Sequence, residues 1–206
     1  HFHELLKENK DLEGFAFFEF DYYTKILGLK NSLATKTITK LINRILPKMI
    51  SLKAPQVKSN VPISEVAELL QTYLKFELHD YKNVIFVCHS MGGLIVKSAI
   101  VEILEGDTGV EQQLAGYCTL ATPHKGALSS ILLGPFNVNA KEMEPFSEIV
   151  TKLNEIWIDK SEGVLNSLYV RAKSDEIVNS VSASPHNNRN KFKISNIKIK
   201  FHSQYI

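Results

Sequence analysis

The chain has 206 residues, 44% of them hydrophobic and 22% charged, and a formal net charge of +2. That is enough apolar chain for a sizeable core, and one globular domain over 1–206 is expected. The balanced charge and the absence of any basic–aromatic array argue against nucleic acid as a partner, and no apolar run approaches the roughly 18 residues a membrane span needs. Cys88 and Cys118 both fall in apolar, strand-like runs. They read as buried free thiols in a reducing, cytoplasmic setting, not as a disulfide framework. No ligand cluster has metal spacing, so neither metal nor cofactor is expected. No export signal is visible, although the abrupt opening His1-Phe2-His3 leaves room for a missing N-terminus.

In chain order, a short helix over about 2–9 precedes a strand at Phe15–Phe20. Pro62 and Ser64, the latter read as an N-cap, announce a helix to about Leu78. The apolar, β-branched run Asn83–Val87 reads as a buried strand, and Leu94–Leu104 repeats apolar residues at helical spacing. A strand at Tyr117–Ala121 and a helix over about Lys141–Trp157 follow, then a strand near Leu168–Arg171 and a last strand within 192–201. Strands alternating with helices predict a mostly parallel sheet with helices on both faces. The segment from Ser180 to Asn190 is rich in turn residues and reads as a loop.

The most informative stretch is Phe86-Val87-Cys88-His89-Ser90-Met91-Gly92-Gly93-Leu94-Ile95, which sets a serine between strand and helix. A turn this sharp crowds the backbone, so the positions two before and two after the serine must be small. Cys88 and Gly92 meet that need, giving Cys-x-Ser-x-Gly where Gly-x-Ser-x-Gly is commoner. Ser90 is thereby held out at the head of a helix, where the Met91 N–H and the helix dipole can stabilise an oxyanion.

A serine hydroxyl is a weak nucleophile until a histidine takes its proton, and the histidine needs a carboxylate to orient it. In α/β-hydrolases these follow in the order serine, acid, histidine, at the C-terminal ends of strands. Asp175 and His202 satisfy both order and location. Asp107, Asp159 and Glu176 are weaker acids on position. His89 adjoins the nucleophile and points away from it, His186 sits in a polar loop, and His124, in Thr122-Pro123-His124-Lys125-Gly126, reads as a structural residue binding neighbouring loops.

The string Val87–Lys97 resembles the elbow of serine esterase/lipase-like α/β-hydrolases, a group that includes GPI-inositol deacylase-like proteins and the effector domains of NLR-type NTPases. Leu120–Gly126 resembles the group's Thr-Pro-His-x-Gly segment, Ser174–Val178 its acid loop and His202–Ile206 its histidine loop. The resemblance implies an α/β-hydrolase fold, an ester or lipid substrate, and Ser90, Asp175 and His202 as the triad. Such proteins open with a strand ending in His-Gly, whose loop supplies a second oxyanion donor. No such motif precedes Phe15, so the first strand is expected to be missing from this chain. The chain also stops four residues after His202, which suggests a piece of a larger, oligomerising protein.

Between the first strand and the second helix, Ile38, Leu41, Ile42, Ile45, Leu46, Met49 and Ile50 trace one helical face, with Lys36, Lys40, Arg44 and Lys48 opposite. Residues 30–60 therefore read as a cap or insertion. It either packs its stripe on the core, the commoner fate, or rests transiently on an anionic membrane surface. Three functions fit: a serine hydrolase of carboxylic esters, an inactive signalling module on the same fold, and a peptidase or thioesterase.

Overall fold

The structure, a computed structural model, describes residues 6–20, 61–106, 108–126, 142–143, 147–161, 164–172, 175 and 178–185, with the backbone alone at 172 and at 193–197. Among these residues the elements run α1 (Ile63–Glu77), β1 (Val84–His89), α2 (Met91–Glu105), β2 (Leu114–Leu120), α3 (Glu148–Lys160), β3 (Asn166–Ala172) and β4 (Lys193–Ile197). The four strands form one sheet in the order β1-β2-β3-β4, and every neighbouring pair is parallel. Parallel neighbours need crossovers, which α2 supplies between β1 and β2 and α3 between β2 and β3.

Register decides what each face carries. Phe86 lies opposite Tyr117, and Cys88, Thr119 and Tyr169 align across three strands. This face is the core side. Trp157 of α3 is fully buried 4.9 Å from the Tyr117 ring, and its indole N–H donates to the Tyr169 hydroxyl at 2.8 Å. Ten residues of α2 are buried, Gly93 through Val101 with Ile103, so this helix is apolar nearly all round and lies inside the molecule. The opposite face carries Ile85 and Val87, both about half exposed, with Cys118 opposite Val87. Cys88 and Cys118 thus sit on opposite faces of adjacent strands and remain free thiols, Cys88 buried and Cys118 only partly so.

Three expected elements shift. The helix after Pro62 begins at Ile63, one residue early, with Pro62 at the cap position and no side-chain cap bond. Its first amide is instead taken by the Glu142 carboxylate, 2.9 Å from the Ile63 nitrogen. The helix expected over Lys141–Trp157 is interrupted: Glu142 is helical, Met143 lies in a turn, and α3 runs from Glu148. Ser147 is the cap, accepting from the Val150 N–H at 3.3 Å. Phe15–Phe20 is not a strand of the sheet. Phe18 instead meets Tyr81 edge-on at 5.0 Å, and Phe20 meets Tyr73 of α1 at 5.8 Å, so these aromatics pack onto helix and loop. The helix expected at 2–9 is described only from residue 6, where it leads into a 3-10 turn at Lys10–Leu12. Residues 30–60 lie outside the described residues. No described helix is long and apolar enough to cross a membrane.

Candidate active site

β1 ends at His89 and α2 begins at Met91, leaving Ser90 alone to make the reversal. Its φ of 53° and ψ of −130° lie where L-residues rarely go, a conformation that costs about 1–3 kcal/mol and must be held by its surroundings. Two backbone bonds hold it. The Ser90 N–H donates to the Leu120 carbonyl at 3.0 Å, and the Ser90 carbonyl accepts from the Gly93 N–H at 3.1 Å. Met91 is the first residue of α2, so its N–H belongs to the helix-end donors that have no intrahelical acceptor. The expected elbow is therefore present at its expected place.

The neighbouring strand repeats the device. Leu120 pairs with His89, and the residue after it, Ala121, also has positive φ, 48°. Ala121 donates its N–H to the Val170 carbonyl at 3.1 Å and starts the 121–126 loop. That loop presses on the first turn of α2: a Cβ added at Gly93 would stand 2.0 Å from Thr122 Oγ1 and 2.6 Å from its Cγ2. The steric demand at Gly93, three residues past the serine, has no counterpart in the local motif.

Cys88, two residues before Ser90, is no rival nucleophile. Burial pushes its thiol far above the ordinary range, so no useful thiolate forms. His124 is completely buried, its Nε2 3.2 Å from Thr119 Oγ1 and its ring edge-on to Tyr169 at 5.1 Å. Burial, with Lys97 and Lys125 as secondary causes, lowers its pKa well below the usual value and keeps the imidazole neutral. It is a scaffold residue, as its position suggested.

Asp175 lies beyond the C-terminal end of β3, half-buried, and its Oδ1 accepts from the Val178 N–H at 2.8 Å. The turn after it is buried at Val178, Ser182, Ala183 and Ser184. It is tied to the 121–126 loop: the Lys125 N–H donates to Ser182 Oγ at 3.2 Å, and that hydroxyl donates on to the Gly126 carbonyl. The fold thus brings Ser90 and Asp175 to one edge of the sheet, beyond the C-terminal ends of β1 and β3. His202, His186, Asp107 and Glu176 lie outside the described residues. Asp159 is at the exposed end of α3 beside Lys160 and belongs to no site.

Sequence reasoning missed Lys97, which is fully buried with its amine on Asn154 Oδ1 and 5.6 Å over the Trp157 ring. Taking an ammonium out of water costs several kcal/mol, and burial accordingly lowers the Lys97 pKa well below its ordinary value. The available signal was a single charged residue inside the mostly apolar run Leu94–Ile100.

The family model described as "Putative serine esterase (DUF676)" matches residues 32–193. The chain belongs to this family. The match contains Ser90 and Asp175 and ends short of His202, and it makes the protein a serine esterase-type hydrolase. No curated protein sequence matches the chain. Among solved structures, the phospholipase PlaB from Legionella pneumophila, in complex with thio-NAD, is similar with a TM-score of 0.53 and 17% identity, over 74% of this chain and 39% of that one. This esterase therefore spans well under half of the phospholipase's length. The mature lipase BlEst2 from Bacillus licheniformis matches with a TM-score of 0.49 and 12% identity over 68% of each chain. A monoacylglycerol lipase from Paleococcus ferrophilus matches with a TM-score of 0.47 and 12% identity, over 71% of this chain and 69% of that one. At such identities the PlaB likeness establishes the α/β-hydrolase fold alone.

Proposed function

We propose that this esterase cleaves carboxylic esters, lipids and phospholipids among them, through a Ser90–His202–Asp175 triad. The observation that carries it is the strained Ser90 at the β1–α2 junction, with Asp175 beyond β3 in the required chain order. Ser90 Oγ attacks the ester carbonyl carbon while a ring nitrogen of His202 takes its proton, and Asp175 orients the imidazole. The Met91 N–H, at the head of α2, donates a hydrogen bond to the developing oxyanion. The His202 proton then leaves with the alcohol, and water activated by the same histidine releases the acid from Ser90. Lipid as the substrate class is supported by the name of the phospholipase that shares the fold. The resemblance of Val87–Lys97 to NTPase-linked hydrolases supports a further role as a cytoplasmic effector domain of a larger, oligomerising signalling or defence protein. The 30–60 segment would supply transient contact with the membrane surface.

Labelling with a fluorophosphonate probe, followed by peptide mapping, tests the nucleophile. The adduct is expected on Ser90, and Ser90→Ala is expected to lose at least about 10³-fold in ester turnover with its melting temperature retained. Robust hydrolysis by folded Ser90→Ala would sink the assignment.

A further inference from the structure

Behind the elbow runs a chain of buried polar contacts that the proposed triad does not use. Lys97 stands about two helical turns beyond Ser90 on α2, completely buried. Its Nζ donates to Asn154 Oδ1 on α3. The same side chain donates from Nδ2 to the His124 carbonyl at 2.6 Å. His124 belongs to the 121–126 loop, which starts at the positive-φ Ala121 and seats Thr122 on Gly93 in the first turn of α2. Three elements converge on one amide: α2, α3 and the loop after β2.

The chemistry explains why a lysine stands there. An asparagine amide can turn over and exchange its oxygen and nitrogen, and only its partners fix which way it points. As an ammonium, lysine is a donor with no acceptor capacity, so in that form it can face only Oδ1. Nδ2 is then left to face the His124 carbonyl. Within the loop, Thr122 Oγ1 and His124 Nδ1 have no hydrogen-bond partner among the described residues, while His124 Nε2 meets Thr119 Oγ1 at 3.2 Å and Ser182 holds the backbone at Lys125 and Gly126. The Asn154 grip adds a hold on the backbone at His124 itself.

We propose that Lys97 and Asn154 are positioning residues, which clamp the 121–126 loop against Gly93 and thereby hold Ser90 in its strained, reactive placement. The proposal rests on the reading of Ser90 as the nucleophile. Lys97→Met removes the donor and keeps the bulk. Asn154→Asp keeps an acceptor for Lys97 but turns a carboxylate oxygen toward the His124 carbonyl, breaking the grip. Lys97→Gln retains a donor and serves as the conservative rescue.

The experiment combines amide hydrogen exchange over 121–126 with kcat and KM for a p-nitrophenyl ester, on the intact chain and these three variants. Folded Lys97→Met and Asn154→Asp are expected to lose at least about tenfold of the loop's exchange protection. Their kcat should fall about 10- to 100-fold, with KM held within about twofold, and Lys97→Gln should retain most of both properties. Unchanged protection at 121–126 in folded variants overturns the clamp. So does lost protection with an unchanged kcat. Failure of both disruptive variants to fold also overturns it, since Lys97 and Asn154 would then be general scaffold. A wild-type chain that neither labels at Ser90 nor turns over any ester would instead strike the nucleophile reading, and the exchange data would still decide the clamp.

Discussion

Ser90 and Ala121 follow directly on a register pair, His89 and Leu120, and both carry positive φ. Two adjacent strands therefore end in strained turns that share one wall, formed where Thr122 meets Gly93. This contact makes a sharp prediction, because two effects oppose each other at Gly93. Helix propensity alone favours Gly93→Ala by about 0.5–1 kcal/mol. Overpacking a closed site costs typically about 1–3 kcal/mol, and the new Cβ would stand 2.0 Å from Thr122 Oγ1. The clash wins, so Gly93→Ala should lower the melting temperature. Thr122→Ala removes two of the three close atoms and a buried hydroxyl without a partner among the described residues, and combining it with Gly93→Ala should recover most of the loss. A double-mutant cycle of thermal stabilities checks this: a coupling of about 1 kcal/mol or more is expected, and simple additivity would remove the interlock. At this scale the serine was legible because strand, small residue, serine and glycine are contiguous. Gly93's obligation was not, because its partner is 29 residues away and belongs to another strand's loop. Lys97 was hidden for a different reason: lysines are almost never fully buried, so a helical lysine reads as solvent-facing until packing shows otherwise.

The elements are joined by a carboxylate that local sequence could not reveal. Glu142 accepts the Ile63 N–H at the start of α1, and its own carbonyl accepts from Ser147 Oγ at the cap of α3 at 2.6 Å. One residue thus closes the N-termini of two helices, 79 positions from the first of them. Burial raises the Glu142 pKa above its ordinary value, the neighbouring Glu65 adding to this and the Ile63 hydrogen bond opposing it. A folded pKa raised above the unfolded one means the native state holds its proton longer. The group therefore favours folding at low pH, and that advantage is lost as pH rises from the ordinary glutamate value through the raised one. Glu142→Gln keeps an acceptor for Ile63 without the charge, so its stability should match or exceed wild type above that window and its pH profile should be flatter there. Glu142→Ala deletes the acceptor and should cost about 1 kcal/mol at neutral pH, in the range of a lost cap. Thermal melts across the pH series decide it, and a Gln variant as damaged as the Ala variant would refute the capping role. The same long-range capping explains the sequence errors. Ser64 looked like the cap of α1 only because the true one lies across the fold, and apolar spacing gave no sign that the expected Lys141–Trp157 helix is interrupted by a turn at Met143. Phe15–Phe20 looked like a strand because aromatic residues favour sheets, whereas here they pack against Tyr73 and Tyr81.

At the scale of the whole molecule, the parallel character of the sheet and the elbow between β1 and α2 were legible from βα alternation, whereas the strand order β1-β2-β3-β4 came only with the structure. What controls the site is a separate question. The effector reading of the Val87–Lys97 string has a quantitative consequence. A hydrolase of the cell's own lipids is tolerable only if its competent state is rare before the signal arrives. If that state is populated at about 1%, assembly can raise turnover per protomer by at most about 100-fold, and only if the assembled form binds it preferentially. The gain must then fall on the fraction of competent sites and leave the intrinsic chemistry alone. The rate of fluorophosphonate labelling at Ser90 should rise with assembly by the same factor as kcat, while KM stays fixed. The measurement compares the isolated protomer with the full-length protein in its triggered, oligomeric state, using one ester substrate and one probe. Equal turnover in the two states would remove the restraint. A rise in kcat without a matching rise in labelling would place the control after acylation, at acyl-enzyme hydrolysis or product release, instead of at the exposure or ordering of Ser90.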